Sequence, residues 1–399
     1  MSDLLRFMIP GCISFVLYLL VQLGVFDHWF KSGSFFKTSL WFIFIFQIST
    51  IFFIKQQVGD VMLFSGAGYY FRYGVDFYWI DSAHTQYPFF PFLIFFHAVA
   101  NKLTYLLPGV NFVQILKLLL LVVLYLIARV IYKNNIIDLL GKRRQAISFL
   151  LNPITYSVIL FHGQIDVILI AFVIFATRLI LNAKTYHKVI NSGLLFAASV
   201  ATKTWSVIFL PLYLKFFGFK KTIVIGLVTA AFLFIDIFIY TRMVFGSGFK
   251  VVLPAILKPG GPVGIWGLSY IFRQWSDYLA AHNLYIFGGL LALGLALLYF
   301  QKFSFWKSAC LLILWVYLII PNWGVQYLFW VLPFSYLIER GRKWIAFDLL
   351  AGVYVFLNYL NIALKDIVAS PLVLGIGMTL WIYILVLVVN IFAQKESKI

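Results

Sequence analysis

The chain has 399 residues, of which 63% are hydrophobic and only 11% charged, against about 25% charged residues in an ordinary soluble domain. Its formal charge of +18 has no soluble basic domain to sit on, so it reads as the Lys/Arg excess of cytoplasmic loops and excludes a nucleic-acid partner. The two cysteines, Cys12 and Cys310, lie in apolar runs and exclude a disulfide framework.

Apolar runs recur along the whole chain: Phe7–Phe26, Val113–Tyr132, Thr222–Tyr240, Leu284–Phe300 and Pro371–Phe392. Roughly 20 apolar residues cross the hydrocarbon core as a helix. Only helices and closed barrels satisfy every backbone group there, and these runs are too long and too uniformly apolar for barrel strands. The expected fold class is therefore all-α: a single polytopic transmembrane helical bundle over residues 1–399 with roughly 11 to 13 spanning elements. Phe7–Phe26 has no A-x-A-like site after it and is expected to be a retained helix, not a signal peptide.

Basic clusters recur at Lys133 with Lys142, Arg143 and Arg144, at Lys184 with Lys188, at Lys215 with Lys220 and Lys221, at Lys302 with Lys307, at Arg340 with Arg342 and Lys343, and at Lys395 with Lys398. Placing all of them in the cytoplasm gives one consistent topology. Two long polar-aromatic loops, 55–110 and 241–283, then lie on the outer side. Within the first, Phe89–Leu107 is an interfacial helix or a further span, and the charge pattern favours the interfacial helix.

Helical rise converts distance along the chain into depth. From Gln145 to His162 is roughly 25 Å, from Val189 to Lys203 roughly 21 Å, and from Ala309 to Gln326 roughly 25 Å. Each segment then returns through apolar sequence to a basic cluster. HGQID (His162–Asp166), the Lys203 turn and NWGVQY (Asn322–Tyr327) are thus expected at hairpin apices near one outer layer. Asp60, just past the Leu40–Ile54 run, reaches the same face.

Each polar residue has a plain and a chemical reading. Asp60 is either a helix N-cap or a partly desolvated carboxylate able to take a proton from a hydroxyl. His162 and Gln164 are either a solvated hairpin tip or a wall that binds sugar hydroxyls or phosphate oxygens. Asp166 is followed at once by VILIAF, so its carboxylate lies at or below the interface, where ionisable groups face a cavity or a partner. Lys203 either snorkels to headgroups or offers a compact charge to phosphate. The segment Gly193–Leu214 around it is too short for two ideal spans, which predicts broken helices lining a cavity. Tyr87 belongs to the polar cluster DSAHTQYP. Gln326 and Tyr327 bind substrate hydroxyls or join an aromatic belt. Arg242 and Arg273 are weaker cations. Asp236 and Asp348 lie in apolar spans, where structural pairing would accommodate them, and are assigned no role. The sequence contains no D-x-D, no P-loop, no G-x-G-x-x-G and no H-E-x-x-H, so a substrate is expected from the bilayer or the far side.

An outer Asp after an early helix, Tyr87-Pro88 opening an apolar helix, Asn152-Pro153 followed by H-G-Q-x-D, Lys203 in a short hairpin ending in Leu-Pro, and Gln326-Tyr327-x-x-Trp330-x-x-Pro333 form a pattern. Together they resemble the GT-C superfamily of integral-membrane glycosyltransferases over roughly Leu40 to Arg340. The chain is most similar to the polyprenyl-phosphate-sugar-dependent enzymes grouped with GPI mannosyltransferase I and with mycobacterial-type phosphatidylinositol mannoside mannosyltransferases. The resemblance implies an inverting transfer of a hexose, mannose favoured, from a polyprenyl-phosphate-linked donor to the hydroxyl of a membrane glycolipid or glycan outside the cytoplasm. It places the general base on Asp60 and the leaving-group cation on Lys203, with Arg273 as the alternative. His162, Gln164 and Asp166 would shape the pocket. Two departures stand out: Tyr87-Pro88 is followed by Phe89, not a second proline, and Val61 follows Asp60 where many relatives carry a second acid. The second departure puts a metal requirement in doubt, and metal-independent catalysis without a cofactor is expected. A flippase or other transporter is the alternative, but an internal repeat and midplane polar sites are not apparent. Low cysteine content and the lack of an ER-retrieval tail favour a prokaryotic plasma membrane, with the ER membrane as the other possibility.

Overall fold

A computed structural model of the chain describes residues 3–54, 60–81, 87–134, 137–244, 246, 249–257, 263–363 and 371–393. The described residues are helical with no strand; one isolated antiparallel pair, Val263 with Asn322, is the nearest approach to a sheet. Five helices are long and apolar enough to cross a membrane: Gly33–Phe53, Phe112–Tyr132, Phe219–Val244, Arg342–Asn361 and Pro371–Ala393. Shorter apolar helices accompany them, among them Met8–Gln22, Tyr285–Phe300 and Phe305–Ile319. Large apolar side chains such as Trp41, Phe42, Leu227 and Phe234 are exposed on the spans, as expected where the solvent is lipid. The chain is a multi-pass membrane protein.

The chain divides into two compact units. The first comprises Met1–Thr50, Ala128–Phe161 and Gly261–Ile399; the second comprises Ile51–Ile127 and His162–Gly260.

In the first unit the helix Asp3–Gln22 packs on Leu139–Leu151. Hydroxyl and amide side chains there donate to backbone carbonyls, Ser14 Oγ to Leu151 O at 3.0 Å and Gln47 Nε2 to Leu150 O at 2.9 Å. Gly352 lets Arg342–Ala363 close on the Pro153 turn, since a Cβ there would come within 2.5 Å of Pro153 Cβ. Asp348 is fully buried and accepts from Arg340 Nη2 at 2.6 Å and from Tyr18 at 2.5 Å, while the Arg340 guanidinium lies 3.7 Å from the centre of the Tyr336 ring. Asp348, to which the sequence assigns no role, thus has a structural partner in Arg340.

In the second unit the helices Asp166–Leu181, Tyr186–Thr202 and Phe219–Val244 pack side by side. Small residues permit the approach. Ser192 donates to Ala176 O at 2.8 Å and Ser199 to Leu169 O at 3.2 Å, and Gly193 faces Val228. The helix Asp60–Arg72 lies on Pro91–Leu106, where a Cβ on Gly68 would come within 2.6 Å of the His97 backbone. Pro91 occupies the first turn of its helix, where its missing N–H costs nothing. The neighbouring amide of Phe92 donates to Asp236 at 2.9 Å. Asp236 thus satisfies a helix end from a different helix. The expected interfacial segment Phe89–Leu107 is observed as the helix Pro91–Leu106.

Removing one partner of a buried ion pair leaves an uncompensated charge, at a cost of about 3–5 kcal/mol. Asp348→Ala is therefore expected to lower the thermal midpoint of the protein in detergent, followed by tryptophan fluorescence. The double variant Arg340→Met/Asp348→Leu is expected to recover most of the loss.

Candidate functional site

The stretch from Asn152 to Phe172 contains the break that the sequence suggests. Asn152 ends one helix and accepts from the Ile154 amide at 2.9 Å, and Pro153 starts a short turn. Tyr156–His162 is then wound as a wide π-type helix, a form often found at functional positions. It ends at Gly163, whose φ of 86° only glycine adopts freely, and the helix Asp166–Leu181 begins three residues later. The tip is not solvated. His162 is 6% exposed, Gln164 1% and Asp166 0%, so the plain reading of these residues as a water-facing turn does not hold.

The polar side chains of the tip are organised in pairs. Gln164 Nε2 lies 3.2 Å from His162 Nε2. Asp166 receives Lys203 Nζ on both oxygens, at 3.0 and 3.2 Å. The carboxylate opens its helix, where the positive end of the dipole also favours it. Lys203 sits in the extended link between Tyr186–Thr202 and the tight turn Thr204–Phe209, and a short helix, Leu210–Phe217, follows. Gly193–Leu214 is thus a broken hairpin, and the Lys203 ammonium turns to Asp166 instead of reaching along the chain to headgroups.

Aromatic residues of the first loop extend this cluster. The Lys203 ammonium is 5.9 Å from the centre of the Phe89 ring. Phe89 meets Tyr87 edge-on at 5.2 Å, and Tyr87 also packs on Phe77 and Tyr78. The Tyr78 hydroxyl donates to Phe89 O. Burial, with Tyr87 and Tyr240 nearby, raises the Tyr78 phenol well above its ordinary pKa, which keeps it a donor.

Asp60 opens the helix Asp60–Arg72, and its side chain lies outside the described residues. The next residue locates the start of that helix: Val61 Cγ2 would lie 3.7 Å from a Cβ on Gly163. The second unit therefore brings together His162, Gln164, Asp166, Lys203 and Tyr87, with the first turn after Asp60 against the glycine of the tip.

Arg273, Gln326 and Tyr327 belong to the first unit. Arg273 is exposed, with its guanidinium 5.3 Å from the centre of the Tyr270 ring. Tyr327 stacks on Trp330 at 4.1 Å and meets Trp323 edge-on. Gln326 folds back towards Gly324. The segment around Trp266 is pinned to the same turn. Trp266 and Trp323 stack at 3.8 Å, nearly parallel, and Trp266 Nε1 donates to Tyr317 O at 2.7 Å.

Lys117 does not stand out in the sequence, where Val113–Tyr132 reads as one apolar run. It is completely buried on the inward stripe of Phe112–Tyr132, in line with Val113, Gln114, Leu120, Leu121 and Leu124. Its Cε and Cγ would lie 3.3 and 3.4 Å from a Cβ on Gly163. The sequence shows only its spacing, three and four residues from Val113, Gln114, Leu120 and Leu121; the burial of that stripe is what turns the lysine inward. Among the described residues, no group of three or more His, Cys, Asp or Glu side chains is placed to hold a metal ion.

Fold and site together define a multi-pass, all-α membrane protein with a buried polar cluster at a helix break. No protein-family model matches the chain, and no curated protein matches it in sequence.

Gly163→Ala would place a side chain at positive φ and press it on Lys117 and Val61. The expected cost is about 1–3 kcal/mol, read as a lower thermal midpoint in detergent. Gly226→Ala, in a helix with no atom within 4 Å of the added carbon, is expected to leave the midpoint unchanged or slightly raised.

Proposed function

We propose that the protein is a glycosyltransferase of the GT-C type. It moves a hexose, mannose favoured, from a polyprenyl-phosphate donor to a hydroxyl of a membrane glycolipid or glycan on the extracytoplasmic face of a prokaryotic plasma membrane. The observation that carries this reading is the buried cluster of the second unit. A histidine, two amide or carboxylate side chains and a lysine converge where two apolar segments break, and the turn opened by Asp60 lies against them. Polar groups buried at such depth are costly and face a substrate path or a partner.

The chemistry follows from the roles. The acceptor hydroxyl gives its proton to the Asp60 carboxylate as its oxygen attacks the anomeric carbon. The bond from that carbon to the phosphate oxygen breaks on the opposite face, and the electron pair leaves with the polyprenyl phosphate. The anomeric configuration inverts. His162 and Gln164 offer donors and acceptors to sugar hydroxyls. Asp166 is committed to Lys203, which leaves Asp60 as the better base. The pair holds the Lys203 link against the tip, on the side from which phosphate departs.

The test is transfer of radiolabelled mannose or glucose from the corresponding polyprenyl phosphate to a membrane lipid extract. The wild type is expected to transfer one of them, and Asp60→Asn to lose about a hundredfold or more in rate. Full activity in the variant would remove Asp60 as the base. Absence of transfer by the wild type from either donor would remove the enzyme reading.

A further inference from the structure

Lys117 is, with His97, a buried polar side chain of the second unit that its neighbours do not explain. Its side chain is 0% exposed and its Nζ has no hydrogen-bond partner. Asp166 is taken by Lys203, Asp236 by the Phe92 amide, and Asp76 by the Tyr240 hydroxyl. Among the described residues Lys117 therefore has no carboxylate. Removing an ammonium from water without a partner costs several kcal/mol, and leucine or methionine would fill the same volume at no such cost. A lysine kept in this place needs a reason that the described residues do not supply.

Its surroundings indicate what the reason is. Lys117 lies five residues into Phe112–Tyr132, roughly 8 Å below the helix start. Its methylenes occupy the space beside Gly163 that a Cβ would fill, and Gly163 lies between His162 and Gln164 in sequence. The absent side chain of Gly163 is what lets the lysine pass so close. The tip thus carries two lysines of opposite status. Lys203 is already neutralised in a bidentate pair, and Lys117 is not. An incoming anion meets one amine that has no counter-ion among the described residues and that the anion itself would hold in its charged form.

We infer that Lys117 is the phosphate-binding residue of the tip: its ammonium receives the phosphate of a lipid-linked phosphate ester, while Lys203 serves chiefly to hold Asp166 and the broken hairpin in place. This rests on the glycosyltransferase reading for the identity of the ligand, but not for its chemistry, which is that of any phosphate ester or free phosphate reaching this depth. A phosphate, singly charged as a sugar-linked diester and more fully charged as the released monoester or as farnesyl phosphate, supplies the partner that the described residues lack. Ion pairing with a charged donor is worth more than a neutral hydrogen bond.

The experiment is a binding titration on the full-length protein in detergent, followed by tryptophan fluorescence and by thermal stabilisation. The probes are farnesyl phosphate, farnesol and inorganic phosphate, applied to the wild type, Lys117→Met and Lys117→Arg. Farnesyl phosphate is expected to bind the wild type, and about ten- to a hundredfold more weakly to Lys117→Met. Lys117→Arg should retain most of the affinity, and farnesol should not distinguish the three proteins. The ligand-free Lys117→Met protein is expected to be at least as stable as the wild type, which separates lost binding from lost folding. If inorganic phosphate alone stabilises the wild type and not Lys117→Met, the site takes free phosphate; if only farnesyl phosphate does so, the lipid is the source. Equal farnesyl phosphate affinity in the wild type and Lys117→Met overturns the inference, as does the absence of binding of either phosphate to the wild type. No sugar transfer is needed for this readout. Loss of binding in a protein without transferase activity would sink the enzyme reading and leave the phosphate site standing; normal binding by Lys117→Met in an active enzyme would do the reverse.

Discussion

The constraint on which the rest of the structure depends is that hydrocarbon solvates no polar group. Every N–H, hydroxyl and charge within the spans must find its partner inside the protein. This is why Ser192 and Ser199 donate to carbonyls on the facing helix, and why Asp236 accepts from the amide of Phe92. It is also why Arg340 and Asp348 meet in the core of the first unit. A surface turn of a soluble protein would leave such groups to water and carry little information. Here each pairing is a structural commitment, and a buried cationic group without a partner stands out.

The HGQID tip shows the same logic at a break. Where the helix stops at Gly163, backbone and side chains lose their regular partners together. The tip answers with two local pairings, His162 with Gln164 and Asp166 with Lys203. His162, Gln164 and Asp166 stay buried and Lys203 is partly buried, so the break is held chiefly by the protein and not by solvent. In the proposed reading this rigidity serves chemistry. The polar groups are already desolvated and fixed before a substrate arrives, which strengthens their hold on developing charge. It also divides the work between the two lysines, one structural and one open to an anion.

Much of this was legible in the sequence, because length and charge are read directly by a bilayer. The apolar runs announce helices, and counting from Lys142–Arg144 makes HGQID a break instead of a defect in a span. The shortness of Gly193–Leu214 announces the interruption that the structure shows at Lys203. What was not legible is partnership. Asp166 and Lys203 are 37 residues apart and Phe92 and Asp236 are 144 apart, and no local pattern pairs them. Lys117 was hidden because composition alone cannot tell a lysine turned inward from one that snorkels; the stripe of buried residues around it decides. The burial of His162 and Gln164 was equally out of reach, since a polar turn looks the same in sequence whether it is wet or packed. The two units went unseen because both are built from the same kind of helix and the chain passes repeatedly between them.

The most direct measurement is an electron cryo-microscopy structure of the protein in lipid nanodiscs with a short-chain polyprenyl-phosphate mannose or glucose bound. The account predicts phosphate density within hydrogen-bond reach of Lys117 Nζ at the HGQID tip, with the sugar towards His162 and Gln164 and the anomeric carbon open to the Asp60 side. Phosphate density at any other place, with Lys117 still buried and alone, would contradict it.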